Sequence, residues 1–143
     1  MKILVINGPN MNMIGIREKD MYGEKTYHEM VNYIERSGEN LGVEVEVFQS
    51  NHEGDIIDRI HDAYGKFDGM VINAAGYTHT SIAIMDAVKA VTIPAVEVHL
   101  TDIMEREEFR HVSYVGMACV KSIYGHGFEG YKEALEFLLS QKA

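Results

Sequence analysis

Lys2-Ile3-Leu4-Val5-Ile6-Asn7-Gly8-Pro9-Asn10-Met11-Asn12 opens the chain with an unbroken apolar run that stops at turn formers. A run that is apolar at every position predicts a strand covered on both faces. Four more β-rich runs follow: Val43, Val45 and Val47 alternating with Glu44 and Glu46, then Met70 to Ile72, Ala95 to Val98, and Met117 to Ile123. The alternation in the second predicts an edge strand with one wet face. Between the runs lie helical stripes at Tyr27-Met30-Val31-Ile34, Ile56-Ile57-Ile60-Tyr64, Ile84-Met85-Val88-Val91 and Tyr131-Ala134-Leu135-Leu138. Thr26 with Glu29 forms a capping box before the first stripe, and Gly42 is a helix stop. Strands alternating with helices predict right-handed crossovers and a parallel sheet. The expected fold is α/β: a doubly wound five-stranded parallel sheet of order 2-1-3-4-5, with helices on both faces, in one domain spanning 1–143. Ligands of such sheets bind outside the carboxyl ends of the strands.

The composition narrows the function classes. The 143 residues carry 13 basic and 22 acidic side chains, a formal charge of −9. Nucleic acid and anionic membrane surfaces need clustered Lys and Arg, so neither is an expected partner. No apolar run approaches the roughly 20 residues that cross a bilayer. Met1 leads directly into the first strand without a signal-peptide layout, so a cytoplasmic location is expected. The single Cys119 excludes an intrachain disulfide framework and a cysteine zinc site. The seven histidines show no HExxH spacing, so no metal is expected.

Chemistry-bearing residues gather at three strand ends. After the first strand a long connection, about 8–25, carries Arg17 and Tyr22 and has the length of an active-site lid. It is no phosphate loop, since GxGxxG and GxxxxGK[ST] are absent. After the third strand come Asn73-Ala74-Ala75-Gly76-Tyr77-Thr78-His79-Thr80-Ser81, where Thr78, Thr80 or Ser81 would cap the next helix. The fourth strand ends in Glu97-Val98-His99-Leu100-Thr101-Asp102. Glu97 and His99, two apart, share a strand face, so the carboxylate would orient the imidazole. Singly these are a surface loop, a helix cap and a sheet-end ion pair. Their shared place at the carboxyl ends is what points to a site.

The chain from Ile3 to about Leu139 resembles the type II 3-dehydroquinate dehydratases. The resemblance rests on Asn7-Gly8-Pro9-Asn10-Met11-Asn12, Gly15-Ile16-Arg17-Glu18, Tyr22-Gly23 and Phe48-Gln49-Ser50-Asn51-His52-Glu53-Gly54. It continues through Asn73, Tyr77 to Ser81, Val96 to Leu100, Arg106-Glu107-Glu108-Phe109-Arg110-His111 and Gly130-Tyr131. It implies a flavodoxin-like fold, a homododecamer built as a tetramer of trimers, and cofactor-independent dehydration of 3-dehydroquinate to 3-dehydroshikimate in the shikimate pathway. Carried over by position, Tyr22 is the base at C2 and Arg17 lowers its pKa. His99 is the general acid for the C1 hydroxyl, Glu97 supports it, and Asn10 holds the water that stabilises the enolate. Asn73, His79 and Arg110 hold substrate hydroxyls, and the backbone of Leu100 and Thr101 holds the carboxylate. Asp86 reaches a neighbouring subunit's site. Ionising a tyrosine at pH 7 costs roughly 4 kcal/mol. A cation at about 4 Å returns on the order of 4 kcal/mol at an effective dielectric near 20.

Three departures from the family pattern carry expectations of their own. Asn73-Ala74-Ala75-Gly76 stands where the family usually has Asn-Pro-Gly-Ala, so Ala75 is expected to take a left-handed conformation at about 1–2 kcal/mol or to reshape the loop. Thr101-Asp102 stands for a usual Ser-Asn, and Asp102 is expected to weaken binding of an anionic substrate. Lys19 replaces a usual proline, which predicts a looser lid. Two other functions fit the fold: a diverged dehydratase acting on another hydroxylated cyclic carboxylic acid, and a flavodoxin-like binding module. The second lacks its marks, since Gly8 to Asn12 offers no Ser or Thr for a flavin phosphate and Asn7 and Asn73 stand where a receiver needs aspartates.

Overall fold

A computed structural model describes residues 1–16, 20 and 24–142. The opening apolar run forms β1 (Lys2–Asn7), buried from Ile3 onward. Then follow α1 (Tyr27–Leu41), β2 (Glu44–Gln49), α2 (Glu53–Asp62), β3 (Gly69–Asn73), α3 (Ile82–Val91), β4 (Ala95–His99), β5 (Lys121–Tyr124) and α4 (Glu129–Gln141). The strands pair in parallel in the order β2-β1-β3-β4-β5, as the strand–helix alternation predicts. The side-chain period of two sends Leu4, Ile6, Met70 and Ile72 to one face, where Ile56 and Ile60 of α2 and Ile84 and Val88 of α3 cover them. Ile3, Val5, Val71, Val96 and Val98 go to the other face, under Met30 and Ile34 of α1 and Tyr131, Leu135 and Leu138 of α4.

Helix ends follow the sequence signals. Thr26 Oγ1 accepts from the Glu29 N–H at 3.2 Å, and Gly42 ends α1 at φ 71°. Ser81 caps α3 by accepting from the Ile84 N–H at 2.9 Å, which leaves Thr78 for another use. Among the described residues no helix is long and apolar enough to cross a membrane.

Two expectations shift. The fifth strand begins at Lys121 rather than Met117, and Val115–Ala118 form a 3₁₀ turn. Met117 and Val120 are 63% and 61% exposed, so that apolar run is not a covered strand. Tyr64 lies beyond the end of α2 and is exposed, so it is no part of the α2 core stripe. The connection after β1 starts as a 3₁₀ turn, Met11–Met13, anchored by buried Met11 and Ile14. Its neighbour is the loop after β3: a Cβ on Gly8 would lie 2.4 Å from the Ala74 carbonyl oxygen, so no larger residue fits there.

Candidate active site

The loops after β1, β3 and β4 enclose a cleft of about 160 Å³ at the carboxyl edge of the sheet. Pro9, Asn10 and Met11 come from the first loop, Asn73 ends β3, and Ala75, Gly76 and His79 come from the second loop. His99 ends β4, and Leu100, Thr101, Ile103, Arg106 and Arg110 come from the third loop. Of the residues expected at the site, Asn10, Asn73, His79, His99, Leu100, Thr101 and Arg110 therefore meet here. Arg17 and Tyr22 lie outside the described residues.

Glu97 stands behind His99, fully buried. Its Oε2 accepts from His99 Nε2 at 2.8 Å, from Thr78 Oγ1 at 3.0 Å and from Ser113 Oγ. Its Oε1 accepts from Ser122 Oγ at 2.7 Å and from the Tyr124 hydroxyl at 3.1 Å. Five donors thus converge on a group with about four lone-pair directions. Burial opposes ionisation, but the bond and charge of His99 and the serine hydroxyls overcome it and hold the carboxyl at about 2. Glu97 is therefore charged throughout the neutral range. A carboxylate only accepts, so Nε2 of His99 carries a proton and Nδ1 is the nitrogen left for exchange with a ligand. Gly116 makes room for this group: a Cβ there would lie 2.4 Å from Glu97 Oε1.

His79 Nδ1 lies 2.8 Å from the Val112 carbonyl oxygen, so it carries the proton and Nε2 is an acceptor. Burial pushes this imidazole below its ordinary value, against the Val112 bond, and the neighbouring His99 and Arg110 push the same way. Arg110 Nε donates to Glu107 Oε2 at 2.6 Å. That bond lowers the exposed Glu107 carboxyl. Arg106 is more deeply set, with 10% of its side chain exposed, and its Nη1 donates to Thr101 Oγ1 at 3.3 Å. Two guanidinium groups thus border one cleft of a chain whose net charge is −9. A single small anion needs only such a local field.

The amide of Asn73 is committed to the scaffold at both ends. Its Nδ2 donates to the Tyr131 hydroxyl at 3.0 Å, and its Oδ1 accepts from the Ala75 N–H at 3.1 Å. Tyr131 in turn donates to Asn7 Oδ1 at 2.6 Å. Ala75 has φ 52°, the left-handed conformation expected from its place in the departed loop. Asn10 is also left-handed, at φ 67°, and its N–H donates to Asn51 Oδ1 at 2.9 Å. Asn10 keeps an exposed side chain at the cleft.

Two acidic residues behave differently from one another. Asp86 is exposed on α3 and does not line the cleft of its own chain. Asp102, expected to repel an anion, is turned away from the cleft. Its Oδ1 accepts from the Met104 N–H at 2.9 Å, capping a 3₁₀ turn, and it borders a separate depression with Lys121, Tyr124 and His126. The residues that sequence reasoning missed are Arg106, which reads as part of a charged surface turn, and the hydroxyls around Glu97. Ser122 and Tyr124 carry a faint signal: polar residues two apart on a strand that would pair beside Glu97 and His99.

This arrangement can transfer a proton and bind a small hydroxylated anion. Among the described residues no three His, Cys, Asp or Glu side chains are placed to hold a metal ion. Cys119 is no nucleophile, since burial and the Glu97 charge push its thiol up to about 12.

The family model described as dehydroquinase class II matches residues 1–139. A 3-dehydroquinate dehydratase of Clostridium perfringens is 55% identical over 139 residues, covering 96% of both chains. The crystal structure of a type II dehydroquinase from Butyrivibrio crossotus superposes with a TM-score of 0.95 at 50% identity, covering 97% of both chains. That of a type II dehydroquinase from Propionibacterium acnes gives 0.93 at 40% identity, covering 97% of this chain and 96% of the other.

Proposed function

This chain belongs to the class II dehydroquinase family, and on that premise we propose how its residues divide the work. The chain is a hydro-lyase that removes water from 3-dehydroquinate to give 3-dehydroshikimate in the shikimate pathway. The proton at C2, beside the ketone, goes to the Tyr22 phenolate, and the electron pair becomes an enolate. Arg17 keeps that phenol ionised, and Asn10 holds the water that hydrogen-bonds the enolate oxygen. The enolate then collapses: a C1–C2 double bond forms, the C1–O bond breaks, and His99 gives its Nδ1 proton to the departing hydroxyl, which leaves as water. Glu97 stabilises the imidazolium before that transfer and keeps Nε2 protonated after it. His79, Asn73 and Arg110 hold hydroxyls, and the backbone of Leu100 and Thr101 holds the carboxylate. Asn73 has one N–H and one lone pair left for this beyond its scaffold bonds.

The observation that carries these roles is the buried, ionised Glu97 locked to His99 at a cleft bordered by Arg106 and Arg110. The protein acts as one catalytic domain, 1–143, with the lid at about 8–25, without a cofactor, in the cytoplasm. It assembles as a homododecamer, a tetramer of trimers, in which Asp86 completes a neighbour's site. The decisive experiment follows the ultraviolet absorbance of the conjugated enone when pure protein meets 3-dehydroquinate. Absorbance should rise with the unaltered chain and stay flat with Tyr22→Phe, while His99→Ala should lose kcat with little change in KM. No rise at high protein concentration would remove the dehydratase reading. Light scattering giving a mass other than twelve chains would remove the assembly.

A further inference from the structure

The two oxygens of Glu97 have different neighbours. Oε2 serves His99, Thr78 and Ser113, whereas Oε1 is held from β5, by Ser122 and Tyr124. The strand register makes this possible: Ser122 lies opposite Glu97 and Tyr124 opposite His99. One strand face therefore presents a hydroxyl to the carboxylate and a phenol to both members of the pair. The Tyr124 ring centroid is 5.5 Å from that of His99, tilted 40°, and the His79 ring is stacked with His99 at 6.5 Å. Neither Ser122 nor Tyr124 lines the cleft.

We propose that Tyr124, seconded by Ser122, is a positioning residue for the dehydration: it fixes the His99 ring and, by donating to Glu97 Oε1, loosens the carboxylate's hold on the His99 proton. This rests on His99 being the general acid, as proposed above. A hydrogen bond to an ionised carboxylate stabilises the charge and lowers its basicity. With the Tyr124 donor gone, Glu97 attracts the imidazolium more strongly, and His99 becomes a weaker acid toward the leaving hydroxyl. Among the described residues, the other titratable and charged groups that act on the pair include His79, Cys119 and, behind His79, Arg110. Cys119 stays a neutral thiol, and burial keeps His79 inclined to neutrality. Burial, with the Glu97 charge, raises the Tyr124 phenol above its ordinary value, so it remains a donor.

Tyr124→Phe tests this, because it keeps the ring and deletes only the hydroxyl. The expected result is a kcat lowered about fivefold with KM within about twofold. The alkaline limb of the kcat profile, where the acid loses its proton, should move up by about half a pH unit. The His99 ring titration, followed by NMR in the ligand-free protein, should move the same way. Ser122→Ala, which leaves the ring untouched, should shift both in that direction by less, and serves if the first variant does not fold. A pH profile and ring titration that superpose on those of the unaltered protein would overturn the proposal. So would a raised KM with unchanged kcat, which puts Tyr124 on the substrate. The ring titration needs no turnover, so an inactive chain with a shifted titration would count against the dehydratase reading alone.

Discussion

Two polar networks with buried centres cross this sheet at its carboxyl edge, and they are built on opposite terms. One centres on the charged Glu97 and draws donors from β4, β5 and the loops at Thr78 and Ser113. The other is neutral: Asn7, Tyr131 and Asn73 tie β1 and β3 to α4 through one phenol. A buried charge is tolerated only when nearly every lone pair is filled, so the first network is dense and converges on one group. A neutral chain needs one partner per atom, so the second is sparse and linear. The first holds its charge against the cleft, where it can act on a proton. The second holds the strands at fixed spacing, and Tyr131 cannot ionise there because burial pushes its phenol far above the ordinary range.

Replacing Glu97 by Gln should break that contrast most sharply. The amide removes the charge and opposes donors with a donor, so kcat should fall on the order of a hundredfold or more. Stability should respond to pH as well. The folded carboxyl sits near 2 against an ordinary 4.5. Its contribution is therefore complete above about pH 4.5 and lost as pH falls toward 2, amounting to roughly 3 kcal/mol. Urea unfolding at stepped pH should show this slope in the unaltered chain and lose it in Glu97→Gln. Equal slopes would mean that the five donors do not stabilise the charge.

The neutral network should fail differently. Tyr131→Phe strands Asn7 Oδ1 and Asn73 Nδ2 and should cost about 2–3 kcal/mol of stability. Its kcat should change far less than that of Glu97→Gln, and its acid slope should stay. A large loss of kcat at unchanged stability would merge the two networks into one catalytic unit.

Smaller changes sharpen the boundary between them. Ala75 is bonded to Asn73 while strained at φ 52°. Ala75→Gly should raise stability by about 1 kcal/mol in urea unfolding, and a fall would show that the loop does not hold the left-handed form in solution. Asp102 lies close to the charged network but faces outward. Asp102→Asn keeps the cap and should leave KM within about twofold. A large drop in KM would restore the expectation that this carboxylate repels the substrate.

The sheet was legible because its information is local. The run Ile3 to Ile6, the alternating Val43 to Val47 and the helical stripes each state their own period, and right-handed crossovers leave few ways to order five strands. The errors fell where local apolarity does not decide burial, at Met117 to Val120 and Tyr64. The Glu97–His99 pair was legible for the same reason, since two residues apart on a strand share a face whatever lies around them.

The sequence by itself determined the fold class, the strand order, the edge that carries the cleft and the family. Only the tertiary structure decided which way Asp102 turns, that Arg106 reaches the cleft, and that Ser122 and Tyr124 complete a carboxylate far from them in the chain. Those outcomes depend on strand register and on the path of the loop after β4. Both are fixed by packing between segments that no local period relates.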